Sequence, residues 1–579
     1  MSATLSNLSN PKYGYDLVAA TTQAAINATM KQFLLNYDGT VFSKVYVYDT
    51  ETQLPVETDY DEMVATLGVD PFSIESGTAN TDDPDDPITK LLDLKFMFGF
   101  QTTMGLPTPP TYPLSSIPDV LEMKNSGSIV TYNLFCKEFK VMQLAKSGGG
   151  YSEEWTLTNL SQSDQGKPWV TSFYVDLDLR ENNDQNAFHN LPEDVQKAVK
   201  NLNPDSMFSI QQLYLDLNTR RMESGAQIEG LDPSSQAYQY LNSYFIAEYI
   251  NGQYEDNEYL LGYAIKPQTP STTSSSIIPT DLNIEVSPYT KDTSDYQMYT
   301  LNYLVMGRDH TMPAPVQFEW NWVDKDDISD YHGAMAIRKG FFVNYLNSLL
   351  SPSLNSICLV PSASIDVEFT KVTWEYGISQ NTDSQSYQAV SDGSSHVLTF
   401  SYSKKASDSG TFVPNWGNIS LEYSTDSDVY LEGNIIRTVT TAKAHFHINV
   451  DGGITDGDYV KYSTETCYEI AVDSYGKLSV TQTADSPNFV DSSDSVDPDG
   501  WSEFVTLGQI DSSIQDIVDN VKSWFQDALT GHDSQIESML QSSGAWVFPG
   551  GQTFSFKDAG FSDNQDFYAY ITYVDPSDI

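Results

Sequence analysis

The best-spaced candidates for metal chemistry are two histidines one residue apart. In residues 444–448 (A-H-F-H-I), His445 and His447 lie on a segment that reads as a strand, whose two-residue period turns both imidazoles to one face. A zinc-type site needs a third ligand at a defined spacing, and none is evident. Two solvent-facing strand histidines are the plainer expectation, and no metal is assigned. Residues 451–458 (D-G-G-I-T-D-G-D) superficially suggest a calcium loop. Their carboxylates, Asp451, Asp456 and Asp458, miss the alternating positions of an EF-hand, so a glycine-rich turn between strands is expected.

Acidic pairs such as Asp82–Asp83, Asp85–Asp86 and Asp326–Asp327 could be considered as glycosidase carboxylates. That chemistry needs two carboxyls at a fixed separation, one with a raised pKa, whereas Asp-rich loops normally hold solvated, ionised groups. Nucleophile-elbow, zincin, P-loop and dinucleotide-binding patterns are absent. No catalytic residue and no cofactor is assigned, and a non-enzyme is expected.

What remains are apolar stripes. Residues 16–36 are expected to form a helix, with Tyr15, Val18, Ile26, Met30 and Phe33 on one face and Thr22 filling a gap. Residues 333–350 repeat the pattern with Ile337, Phe341, Phe342, Tyr345, Leu346 and Leu349, and Pro352 is expected to stop that helix. A helix over 235–250 carries Ala237, Leu241 and Phe245, and one over 511–529 carries Ile514, Ile517, Val521 and Phe525. Plain core is one reading of these stripes. The functional reading is an apolar groove between helix and sheet that could hold an acyl chain, each buried methylene contributing about 0.8 kcal/mol. Its candidate lining is Val18, Ile26, Met30 and Phe33 in a first unit, and Ile337, Phe341, Tyr345 and Leu349 in a second.

Most of the rest reads as strands and turns, densest over 364–483. The expected fold class is α+β, with long antiparallel sheets wrapped around amphipathic helices in two pseudo-repeated units. The expected division is 1–266, a linker over 267–277 (P-Q-T-P-S-T-T-S-S-S-I), and 278–579 with a β-rich insertion at about 364–483.

With 30 basic and 79 acidic side chains the chain carries −49, a field that repels nucleic acid and gains nothing from counterion release. Anionic membranes are an equally poor electrostatic match. The three cysteines, Cys136, Cys358 and Cys467, are too far apart in sequence to suggest a disulfide framework or a zinc site. No run approaches a membrane-spanning length, and no secretory signal is visible over Met1 to Tyr15. Synthesis in the cytoplasm is expected, with any release through lysis or a dedicated exporter.

Several blocks resemble a known family. Y-G-Y-D-L-V-A-A (Tyr13 to Ala20), leading into a helix that carries Asn27, resembles the YGWD-x-V opening of the clostridial forty-seven-kilodalton and Orf-X accessory proteins, which accompany some botulinum neurotoxin genes. L-N-Y-L-V-M (Leu301 to Met306), F-E-W-N-W-V (Phe318 to Val323) and H-G-A-M-A-I-R-K-G-F-F-V (His332 to Val343) resemble that family's central region, in the same order. Y-L-L-G-Y-A-I-K (Tyr259 to Lys266) and I-I-P-T (Ile277 to Thr280) are similar too. Tyr15 stands where the family often has Trp, and the last third matches only loosely.

The resemblance implies the tubular lipid-binding (TULIP) fold, binding of a lipid or other apolar molecule, and an accessory role beside toxin components. It supplies no catalytic residues. The alternative is an interaction or self-assembling protein whose modules are filled. Exposure of Trp320 and Trp322 bears on this: buried rings mean core, and solvent-facing rings an apolar docking patch.

Overall fold

Leu17–Thr22 (L-V-A-A-T-T) is a strand, and the first helix begins only at Gln23. The computed structural model describes residues 3–36, 41–107, 117–124, 129–147, 154–165, 167–182, 208–224, 228, 231–242, 260–267, 279–308, 310–391, 393–474, 476–494, 510–526, 530–543, 546–547 and 554–573. Every residue of Leu17–Thr22 is buried, because the strand lies at the middle of a sheet covered on both faces. Leu17 and Ala19 enter one core, Val18 and Ala20 another. A segment apolar on both sides satisfies strand and helix periods alike, and two neighbouring strands decide in favour of the ladder. The Thr22 hydroxyl then accepts from the Ala25 N–H at 3.3 Å and caps the first helix, Gln23–Asn36.

This central sheet has six antiparallel strands in the order Pro279–Ser287, Thr300–Gly307, Leu17–Thr22, Gly333–Ile337, Phe567–Tyr573, Phe554–Phe561. Its plan is two-fold. Leu17–Thr22 and Gly333–Ile337 are antiparallel neighbours, each flanked by a hairpin and each followed at once by a helix. Leu17 pairs with Ile337 and Thr21 with Gly333, so the two helices leave from opposite ends of the pair. At Gly333 the strands approach so closely that a Cβ would sit 2.1 Å from the Ala20 carbonyl oxygen. Thus a strand from the start of the chain joins a sheet otherwise built from residues 279–573, across the expected division near 267–277. Residues 268–277 of that linker lie outside the described residues.

The middle helix runs Lys339–Ile357. It starts after Ile337, which is a strand residue, and passes through Pro352 instead of stopping there. Proline inside a helix costs about 3 kcal/mol, but continuing buries Leu354 and Ile357, each worth roughly 1.5–3 kcal/mol, which offsets the break. The late helix, Ile510–Gln526, falls where its period places it. Of the helix expected over 235–250, Gln236–Tyr240 is helical and 243–250 lies outside the described residues.

Among the described residues, four further antiparallel sheets surround these elements. A flanking sheet is built around Phe208–Ser224 and Thr171–Asn182, with Leu121–Glu122 at one edge. A long sheet is built from His396–Phe412, Asn415–Glu432, Ile435–Val450 and Gly453–Val472, with shorter strands beside them. The hairpin Leu359–Val367 and Val372–Gln380 packs against it. An N-terminal sheet around Phe96–Met104 and Cys136–Ser147 has its own small core of Met63, Phe72, Leu91 and Met142. The chain is therefore α+β, rich in antiparallel strand and poor in helix.

Candidate apolar site around the two helices

The first helix is held by its polar side chains. Asn27 donates from Nδ2 to the Leu121 carbonyl at 2.7 Å and accepts the Leu121 N–H at 2.9 Å. Gln23 accepts the Met123 N–H at 2.6 Å, and Lys31 donates to the Ile117 carbonyl at 2.9 Å. Asn27 and Gln23 thus supply hydrogen bonds to the edge of the flanking sheet as a neighbouring strand would. Ile26 and Leu34 are buried in the main core, and Met30 packs half-buried against it.

The middle helix turns Phe341, Phe342, Tyr345, Leu346, Leu350 and Leu354 into the same continuous core. Protein groups already contact two of the candidate residues. The Tyr345 hydroxyl donates to the Gln535 carbonyl at 2.8 Å, and the Arg308 guanidinium lies over the Phe341 ring at 5.2 Å. Leu349 remains half-buried. The late helix packs against the middle one through Ile514, Ile517, Val521 and Phe525, and the short helix Asp533–Ser543 adds Ile536, Met539 and Leu540.

The structure unites Ile26, Met30, Ile337, Phe341, Tyr345 and Leu349 around one apolar core, with Ile337 contributed by a strand. It does not unite Val18 with them. Val18 points to the opposite face of the central sheet, because a strand alternates its side chains where a helix would have aligned them. The side chain of Phe33 lies outside the described residues.

That opposite face carries part of the blocks that resemble the clostridial family, and Leu301, Tyr303, Val305, Phe341 and Phe342 of the same blocks face the main core. Tyr13, Tyr15, Val18, Leu304, Met306, Phe318, Trp320, Trp322 and Ala336 form one buried cluster. The Tyr15 hydroxyl donates to the Ala314 carbonyl at 2.8 Å and accepts the Val316 N–H at 3.0 Å, while the Tyr13 hydroxyl accepts the Glu319 N–H at 3.1 Å. Gly14 between them has φ +74°, which glycine adopts without strain. Trp322 is fully buried, so the Trp pair is core and not a docking patch. These buried rings and their hydrogen bonds secure the framework.

Buried carboxylates are what sequence reading missed. Asp16 accepts from the Arg338 guanidinium, from the Gly307 N–H at 2.9 Å, and lies 2.7 Å from His310 Nδ1. Asp566 accepts the Lys339 N–H at 2.8 Å and the Leu8 N–H at 2.6 Å, fixing the start of the middle helix, and burial pushes its carboxyl above the ordinary range. Glu285 accepts from Ser287 at 2.7 Å and Asn302 at 2.8 Å, and burial pushes its pKa up to about 7. An acid within an alternating strand reads as solvent-facing unless both faces of the sheet are known to be covered.

The remaining polar candidates resolve simply. His445 lies 2.8 Å from Asp456 and 2.7 Å from Asp458, with His447 3.4 Å from Asp456, on the partly exposed face of the long sheet. No group of three or more His, Cys, Asp or Glu side chains is placed to hold a metal among the described residues. Asp451 and Gly452, at φ +50° and +91°, form the two-residue turn of a hairpin. Asp86 caps the short helix Pro87–Asp93, accepting the Thr89 N–H at 2.8 Å. No described helix is long and apolar enough to cross a membrane.

No family model matches the chain, and no curated protein matches it. Among solved structures, it is similar to P47 of Clostridium botulinum E1, at 12% identity and a TM-score of 0.41, over 96% of this chain and 98% of that one. It is also similar to a lipopolysaccharide binding protein, at 9% identity and a TM-score of 0.25, over 96% of this chain and 99% of that one. At those values the function rests on the chain's own geometry.

Proposed function

We propose that this chain is a non-enzymatic binder of a lipid or other single-chain amphiphile, held between the two helices and the sheets they face. The observation that carries the reading is the two-fold plan of the central sheet. Adjacent strands each launch a helix in opposite directions, and both helices turn apolar faces into one interior. Met30 and Leu349, half-buried and apolar, are the points at which a chain would meet each helix. A place among the accessory components of a toxin system accords with the sequence resemblance and belongs to the same proposal.

Native mass spectrometry of gently purified protein is expected to show a lipid-sized adduct that solvent extraction removes. Leu349→Glu and Met30→Glu are each expected to reduce it. Folded protein that yields no extractable lipid and fails to take up a fluorescent fatty acid refutes the reading.

One observation favours a second reading, a filled module that acts through protein contacts. Ile26, Ile337 and Phe341 are at most 1% exposed, and Tyr345 already bonds to Gln535. A stoichiometric protein partner recovered with empty lipid extracts would select it.

A further inference from the structure

The long sheet ends in an apolar apex. Three turns meet there: the one after Val367, the one after Phe412 and the one after Val450. They present Phe369, Phe412, Val413, Trp416 and Ile454, which are between 37% and 80% exposed. The rings of Phe369 and Phe412 lie 6.3 Å apart, so two of the turns touch through apolar groups. At the other end of the same strands, the Gly433 and Gly476 carbonyls accept from Phe561 and Phe556 of the central sheet. The strand between, Ile435–Val450, has 16 residues, which places the apex about 50 Å from that sheet.

We infer that this apex docks on the interface of a zwitterionic lipid bilayer. Its five side chains offer on the order of 600 Å² of apolar surface, below the roughly 800 Å² that each partner of a stable protein complex buries. They stand on a convex tip, which a deformable interface accommodates and a rigid partner would have to be hollowed to match. Aromatic rings suit the boundary between acyl chains and headgroups.

Several backbone groups at the apex are already satisfied. Asn415 donates from Nδ2 to the Glu368 and Phe369 carbonyls at 2.9 and 3.1 Å, and the Trp416 N–H donates to Asp451 at 2.8 Å. Backbone that keeps its hydrogen bonds can leave water at lower cost. Charge selects the lipid. Lys371 at the apex is 3.7 Å from Glu368, and Asp451 accepts from Trp416 there, so among the described residues no basic cluster marks the tip of a chain carrying −49. Neutral headgroups fit this surface and anionic ones do not.

Flotation of the full chain with pure phosphatidylcholine vesicles tests this. Wild type is expected to float, and Phe369→Ser with Val413→Ser to lower the partition coefficient at least tenfold, with unchanged near-ultraviolet circular dichroism. Adding phosphatidylglycerol is expected to weaken flotation at low salt, and salt to restore it. Brominated phosphatidylcholine is expected to quench part of the tryptophan emission, and that part to vanish in Trp416→Phe. Failure of wild type to float, equal flotation of the double variant, or a self-association that the double variant abolishes without any flotation overturns the proposal. Flotation without extractable lipid sinks only the carrier reading above, and extractable lipid without flotation sinks only this one.

Discussion

Replacing Glu285 with Gln should make the protein more stable at neutral pH and remove a specific pH dependence. Glu285 sits on the aromatic-capped face of the central sheet, 5% exposed, held by Ser287 and Asn302. Its Oε1 and the Asn302 Oδ1 have no hydrogen-bond partner. The carboxyl gives up its proton near 7 in the fold, against 4.5 ordinarily. At 1.36 kcal/mol per pH unit, the ionised fold is about 3 kcal/mol less stable than the protonated one. The folded state binds the extra proton between these two values, so the contribution of Glu285 to stability falls as pH rises from about 4.5 to about 7 and is flat above.

An amide keeps an acceptor for Ser287 and Asn302 and brings a donor that the Asn302 Oδ1 can use. Urea unfolding at pH 5, 6, 7 and 8, read by tryptophan emission, follows Trp320 and Trp322 in the same cluster. Repulsion among the other acids also grows with pH, but it acts on both proteins and cancels in their difference. Glu285→Gln should gain on wild type progressively, reaching about 3 kcal/mol at pH 8. Parallel curves across that range would refute the assignment of a buried, proton-holding acid.

Gly333→Ala should destabilise by more than about 3 kcal/mol, seen as a lowered urea midpoint, because its Cβ would sit 2.1 Å from the Ala20 carbonyl. Pro352→Ala should restore a helical hydrogen bond and raise stability by about 1–3 kcal/mol; a loss would show that the proline is needed where it stands. Asn27→Ala should leave the Leu121 N–H and carbonyl without their side-chain partner, costing about 1–3 kcal/mol and speeding hydrogen exchange at Leu121.

Much of this architecture could be read in the sequence where one face of an element meets water. The late helix, with one apolar stripe, lies where its period puts it, and the alternation around His445 and His447 places both rings on one side, sharing Asp456. Reading failed where both faces are covered. Val18 and Ile337 belong to strands because the central sheet is sandwiched between two cores, which local periodicity does not encode. Pro352 misled for a related reason: the burial of Leu354 and Ile357 is a tertiary gain, and a local stop signal cannot weigh it. Half-buried Met30 and Leu349 carry no signature that separates them from their fully buried neighbours.

The placement of Leu17–Thr22 has a consequence for synthesis. Its partners, Thr300–Gly307 and Gly333–Ile337, leave the ribosome hundreds of residues later, and Phe567–Tyr573 later still. At 5–20 residues per second the strand waits tens of seconds, with both apolar faces uncovered, before its slot exists. Folding of the nascent chain therefore cannot simply proceed from front to back. The central sheet can be completed only after the last of its strands has been made.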